Sequence, residues 1–140
     1  AIQQYITETC ETEDDMYACW EQVKFAFESI EPLMKQQLIK DEADFVRIGP
    51  DAWDAVRLVF MARVCNEHGY ITNEELWDYI EAADDIAHQT IRSWEDFGKS
   101  YIIGRCLWCG TANYFEVMAD HAKELYTKEK SPWKTIPFDK

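Results

Sequence analysis

Positive charge is what this chain has least of. Against 27 aspartates and glutamates it sets 14 lysines and arginines, with 3 histidines, for a formal net charge of −13. A field of that sign repels phosphate backbones, so direct nucleic-acid binding is not expected. Long apolar runs are missing as well: none approaches the ~18 residues that a membrane span requires. No charged segment followed by an apolar stretch opens the sequence, so no signal peptide is read. The first residue is Ala1 rather than Met, which points to trimming or processing. The expected compartment is the cytoplasm, with the periplasm left open. Cysteines are few and odd in number: Cys10, Cys19, Cys65, Cys106 and Cys109. In a domain large enough to fold without staples, that argues against a disulfide framework and for buried free thiols. No strand pattern, internal repeat or low-complexity tract is found.

What is present suits a globular chain. At 140 residues, 47% of them apolar and 14% aromatic, the sequence can bury one core. The acidic excess is uneven: −8 over residues 1–51, −5 over 52–105 and zero over 106–140. Such a field attracts a basic protein and speeds its association at low salt, although solubility alone also accounts for it.

The apolar spacing is helical almost throughout. Thr12-x-x-Asp15 reads as a capping box with Asp in the usual Glu place, and Met16, Cys19 with Trp20, Val23, Phe27 and Ile30 follow on one face. Pro32 is expected to end or kink that helix, with a short one over Leu33–Ile39 and a connector over 41–50. Asp51 is expected to cap a helix reaching about His68, stopped by Gly69 and apolar nearly all round, hence buried. Thr72-x-x-Glu75 is a full capping box, opening a helix with Leu76, Ile80, Ala83, Ala87 and Ile91 inward and Glu74, Asp78, Glu81, Asp85, His88 and Arg92 outward. Ser93-x-x-Asp96 opens another, to about Trp108. Gly98 and Gly104 inside it imply close approach by a neighbour, which would offset their helix penalty of ~1 kcal/mol each. A helix over 112–126, with Tyr114, Met118, Ala122 and Leu125 inward, precedes an irregular tail docked by Trp133, Ile136 and Phe138. The expected fold is therefore all-α: a single-domain bundle of about five to six helices around two buried central ones.

Few segments carry chemistry. Gly98-Lys99-Ser100 resembles the end of a phosphate-binding loop, but Ser93 stands where that loop needs Gly and the segment lies in a helix. Cys106-x-x-Cys109 has metal-ligand or redox spacing without a second ligand pair or a βαβ context. Asp85-x-x-His88 is a single copy of a motif that a helical di-metal site needs twice. His68 falls at a helix C-terminus and His121 on the surface. No cofactor, metal or catalytic set is expected. The remaining cluster is Asp54, Arg57, Glu95, Asp96 and Arg105. A buried Arg must be paired, so these five are expected to form an internal ion-pair network; an Arg-lined anion pocket is the alternative.

Ala52-Trp53-Asp54-x-x-Arg57, Gly69-Tyr70-Ile71, Ser93-Trp94-x-x-Phe97, Ser100-Tyr101-x-x-Gly104-Arg105 and Ser131-Pro132-Trp133 together resemble the bacterial family termed domain of unknown function 1266. The likeness is strongest over 52–133, weaker over the first fifty residues, and does not extend to Cys106 and Cys109. It implies an all-helical domain and no particular activity.

Two functional expectations follow. One is a non-catalytic protein-binding module, in its most concrete form an immunity protein or antitoxin that neutralises a basic toxin by electrostatic steering and occlusion. Asp14, Asp15, Glu21 and Glu28 on the first helix, with Asp78, Glu81 and Asp85, would be its contact acids. The other is an enzyme or sensor that holds a small anion between Arg57 and Arg105.

Overall fold

The computed structural model describes residues 10–109 and 115–139. Seven helices are found among them: α1 (Glu13–Lys35), α2 (Glu42–Ile48), α3 (Asp51–Glu67), α4 (Asn73–Thr90), α5 (Trp94–Cys109), α6 (Phe115–Thr127) and the single turn α7 (Pro132–Thr135). No strand occurs among the described residues. The expected Tyr114 and Gly110 positions lie outside them.

Both capping boxes form. Thr12 accepts from the Asp15 amide at 3.1 Å while Asp15 takes the Thr12 amide, and Thr72 and Glu75 repeat the arrangement. The hydrogen bond from the Thr72 amide holds the Glu75 carboxyl below its ordinary range. Ser93 accepts from the Asp96 amide at 3.1 Å, which starts α5 where its sequence signal stands.

Pro32 does not break the first helix. It lies inside α1, one turn before the end, with Leu33 fully buried beside it. The helix stops instead at Gln37, which takes a left-handed φ of 58°. The Leu38 amide then reaches back to the Leu33 carbonyl at 3.0 Å, and the Gln37 amide to Met34 at 2.9 Å. This is a Schellman closure made without glycine. Gly69, at φ 74°, makes the same closure after α3, with the Tyr70 amide on Cys65 at 2.8 Å. The expected connector over 41–50 contains α2, capped by the Asp41 carboxylate on the Asp44 amide at 2.8 Å.

The bundle is organised on α5, which packs against α1, α2, α3 and α6. Its Ile102, Ile103 and Cys106 join Leu33, Leu38, Ile39 and Ile48 in the main core. Each such aliphatic side chain contributes ~1.5–3 kcal/mol on burial. A second cluster, built on Ala55, Ala83 and Ala87, seals the α3–α4 hairpin. Small residues at that seam let the two helices approach closely. That is why α3 is not buried all round: its inward stripe is Ala52, Ala55 and Ala62, and Phe60 and Met61 stay 63% and 51% exposed. Leu125 on α6 is likewise more exposed than its spacing implied.

Asp51 does not cap α3. Pro50 holds that position with no side-chain bond, and Asp51 instead accepts from Thr90 Oγ1 at 2.6 Å, tying the hairpin ends. The missing cap comes from another helix: the buried Ser100 Oγ of α5 accepts from the Ala52 amide at 3.0 Å. One turn on, a Cβ at Gly104 would lie 2.3 Å from Trp53 Cβ and 2.7 Å from the Pro50 carbonyl. Gly98 meets Ala122 and Trp133 less tightly, at 3.2 and 3.3 Å. Gly104→Ala is therefore expected to cost ~1–3 kcal/mol through displacement of the α3 start. Gly69→Ala, with open space around it, should lose only the ~1 kcal/mol of its left-handed backbone. Urea unfolding of the two variants checks the order.

Candidate functional site

Since α3 starts directly against Gly104, the Trp53 ring packs among side chains of α5. Tyr101 and Trp108 flank it with centroids at 5.1 and 5.7 Å. Two cations share these rings. The guanidinium carbon of Arg57 stands 5.6 Å from the Trp53 centroid and 5.0 Å from that of Trp108; that of Arg105 stands 5.4 Å from both. Cation–π contacts of this kind contribute ~0.5–1 kcal/mol each where water reaches them.

The expected five-residue ion-pair network is not formed. Asp96 pairs with Arg47 of α2 at 2.8 Å, and Glu95 pairs with Lys99 on its own helix at 2.7 Å. Asp54 is exposed and makes no ion pair among the described residues, and neither do Arg57 and Arg105. The physical reason is direction. Asp96 sits in the first turn of α5 and Arg105 more than two turns further on, so the carboxylate meets the α2 side of the bundle and the guanidinium meets the indoles. Among the described residues, two buried donors then have no hydrogen-bond acceptor, Arg105 Nη1 and Trp53 Nε1. Leaving such a group unpaired costs ~1–3 kcal/mol, more for a charged one.

Arg47 takes the pairing role that the sequence assigned to the other arginines. It also bonds Asp44 at 2.6 Å, and the two carboxylates are far less exposed than the guanidinium between them. Burial pushes the Asp44 carboxyl up, but the hydrogen bonds from Arg47 and the Lys40 amide outweigh it and hold the group below its ordinary range. The Arg47 guanidinium is held more firmly protonated, chiefly by its hydrogen bond to Asp96.

The acids proposed as contact residues divide between two helices. On α1, Asp14, Asp15, Glu21 and Glu28 are all exposed, but Asp15 is engaged in the capping box. On α4, Asp78, Glu81 and Asp85 are exposed together with Glu74. Trp77, 62% exposed, lies on this same outer face, three residues from Glu74 and four from Glu81. Its place in the acidic stripe was readable from that spacing and is absent from the sequence-based face.

His88, expected on the same outer stripe, turns inward to the tail. Its Nε2 lies 2.7 Å from the Phe138 carbonyl, and its ring stacks on Phe138 at 4.7 Å. Trp94 donates to the Ile136 carbonyl at 2.8 Å and stacks on Trp133 at 5.3 Å. The tail thus docks through Trp133 and Phe138, includes the turn α7 and leaves Ile136 55% exposed. Between tail and hairpin lies an apolar cavity of about 450 Å³, walled by Val59, Ile80, Trp94, Phe97 and Phe138, with Asp84, His88 and Asp139 as its polar side chains.

Among the cysteines only Cys106 is fully buried; Cys10, Cys19, Cys65 and Cys109 are half-buried, and none forms a disulfide among the described residues. Burial pushes the Cys106 thiol up, partly offset by its contact with Ser29 at 3.6 Å. Cys10 and Cys19 stand with their sulfurs 3.2 Å apart. No group of three His, Cys, Asp or Glu side chains gathers as a metal site among the described residues. Among them, too, no helix is long and apolar enough to cross a membrane.

The model of the family described as protein of unknown function (DUF1266) matches residues 2–138. The chain belongs to the DUF1266 family. No curated protein and no solved structure matches it. In this DUF1266 chain the match takes in the first fifty residues, where the sequence motifs were weakest.

The Arg47 bridge yields a pH prediction. A carboxyl with a lowered folded pKa adds stability above its unfolded value and loses it as pH falls through the folded one. Arg47→Met should cost ~1 kcal/mol at neutral pH. That gap should close as pH drops below the ordinary Asp44 value of 3.8. Urea titrations of wild type and variant at pH 7 and near pH 3 measure it; a gap that stays constant refutes the assignment.

Proposed function

We propose that this protein is a non-catalytic binding module for a basic protein, in its most concrete form an immunity protein that occludes a basic toxin. The observation that carries the reading is Trp77, 62% exposed on the outer face of α4 amid Glu74, Asp78, Glu81 and Asp85. A solvent-exposed indole forgoes the free energy of burial, and tryptophan is among the residues most enriched where truncation costs a complex most. The carboxylates around it match lysines and arginines on a partner. They would steer encounter over distances at which the whole −13 charge acts, and the indole would then supply contact area. Exposed Tyr17, Trp20 and Phe27 beside Glu21 and Glu28 give α1 a similar composition and a second face for the same partner.

The two parts of the mechanism separate experimentally. The chain, immobilised, is used to capture a basic protein from the source cell's lysate and secreted fraction, and the recovered protein is purified for kinetics. Asp78→Lys with Glu81→Lys is expected to slow association by about tenfold at low salt and to flatten its salt dependence. Trp77→Ala should leave the association rate nearly unchanged and speed dissociation by about thirtyfold, as loss of a central anchor does. Association indifferent to both changes would remove α4 as the contact face.

A further inference from the structure

We propose that Arg57, Arg105 and Trp53 form a binding site for a small oxyanion, carboxylate or phosphate in character. This goes beyond the basic-partner reading and does not depend on the acidic face of α4. Two guanidinium groups rest on the same pair of indoles, each carbon within 5.6 Å of the Trp53 centroid. The indole faces supply attraction but accept no directed N–H bond in the guanidinium plane. Elsewhere the same chain places arginine against carboxylate, as at Arg47 with Asp44 and Asp96. Here, among the described residues, neither arginine is ion-paired, although Asp54 stands one turn from Arg57 on the same helix.

The donors left over belong to one neighbourhood. Arg105 Nη1 and Trp53 Nε1 are both buried without an acceptor among the described residues, and Trp53 Nε1 is part of the ring on which both guanidiniums rest. An oxyanion would bind first at the exposed Arg57 guanidinium and offset the charge that the two arginines bring to these rings; arginine's planar fork suits carboxylate and phosphate. Solvent reaches the site, since Arg57 is exposed and Trp108 is 61% exposed. The rigid floor is the α3–α5 contact at Gly104, so the rings are held in place before an anion arrives.

The probes are inorganic phosphate and acetate, titrated into the full chain against chloride at constant ionic strength. Intrinsic tryptophan fluorescence reports directly, because two indoles line the site. A saturable change is expected with one or both anions, and which one responds sets the class: phosphate alone marks a tetrahedral ligand, acetate alone a planar carboxylate. Arg57→Gln and Arg105→Gln should each weaken it about tenfold, whereas Arg63→Gln, on the exposed side of the same helix, should not. A parallel rise in Tm with phosphate or acetate, absent in Arg57→Gln, gives a second readout. Circular dichroism confirms folding, and if Arg105→Gln does not fold, the exposed Arg57 carries the test. No saturable response to either anion, or an equal response in the Arg57→Gln variant, overturns the proposal.

Discussion

At Gly104 the Cβ that any other residue carries would fall 2.3 Å from Trp53 Cβ, so α3 begins in direct contact with α5. Ser100, one turn earlier, fixes the same approach with a hydrogen bond to the Ala52 amide at 3.0 Å. The two residues act together. Glycine removes the steric obstacle, and serine supplies the acceptor that the first turn of α3 lacks once Pro50 takes the cap position. Much of the site follows from this crossing. It lays Trp53 across α5, brings Arg57 one turn along α3 to the same rings, and sets Arg105 and Trp108 around them.

The arginines show how position rather than residue type decides a charge's role. Arg47 meets two little-exposed carboxylates, so its guanidinium is hydrogen-bonded on two sides. Arg57 and Arg105 meet aromatic faces, which leaves their donors outward or unpaired. A little-exposed carboxylate has to be satisfied by what lies nearest, and for Asp96 that is α2, not the far end of its own helix. The pairing holds α2 to the start of α5. Arg105, more than two turns further along α5 and on its other side, is out of reach of Asp96 whichever partner Asp96 takes.

The legible parts of this fold are those where a local interaction sets the backbone. Thr12-x-x-Asp15, Thr72-x-x-Glu75, Ser93 and Gly69 mark helix ends because each bonds within a few residues of itself, and the sequence carries the whole cause. The misread parts are decided from a distance. Gln37 accepts a left-handed φ because Leu33 and Leu38 on either side of the turn are buried in the core, and no glycine announces it. Pro32 stays helical for the same reason. The apolar run of α3 reads as buried, yet only its alanine stripe is fully covered; Trp53, Leu58 and Val59 are half-buried, and Phe60 and Met61 face outward. The candidate site was legible as a list containing Trp53's segment, Arg57 and Arg105. That they would share rings instead of carboxylates depends on the crossing at Gly104, which spacing alone does not encode.

The two proposed sites answer to opposite electrostatics within one molecule. With 27 acids against 14 bases, the net charge seen from a distance is negative, so it draws a basic protein and opposes the entry of an anion. Added salt shortens the reach of that field to roughly 8 Å at 0.15 M, which is still longer than the guanidinium–indole contacts at Arg57 and Arg105. Screening therefore weakens steering of a basic partner to α4 while relieving the repulsion that an incoming oxyanion feels. The short-range attraction of two guanidiniums survives, since it acts over direct contact in a partly dry setting. A chain so rich in carboxylates has ion-paired none of its described ones with these two arginines, although Asp54 stands one turn from Arg57. In such a chain, those unpaired arginines are what the proposed anion site rests on.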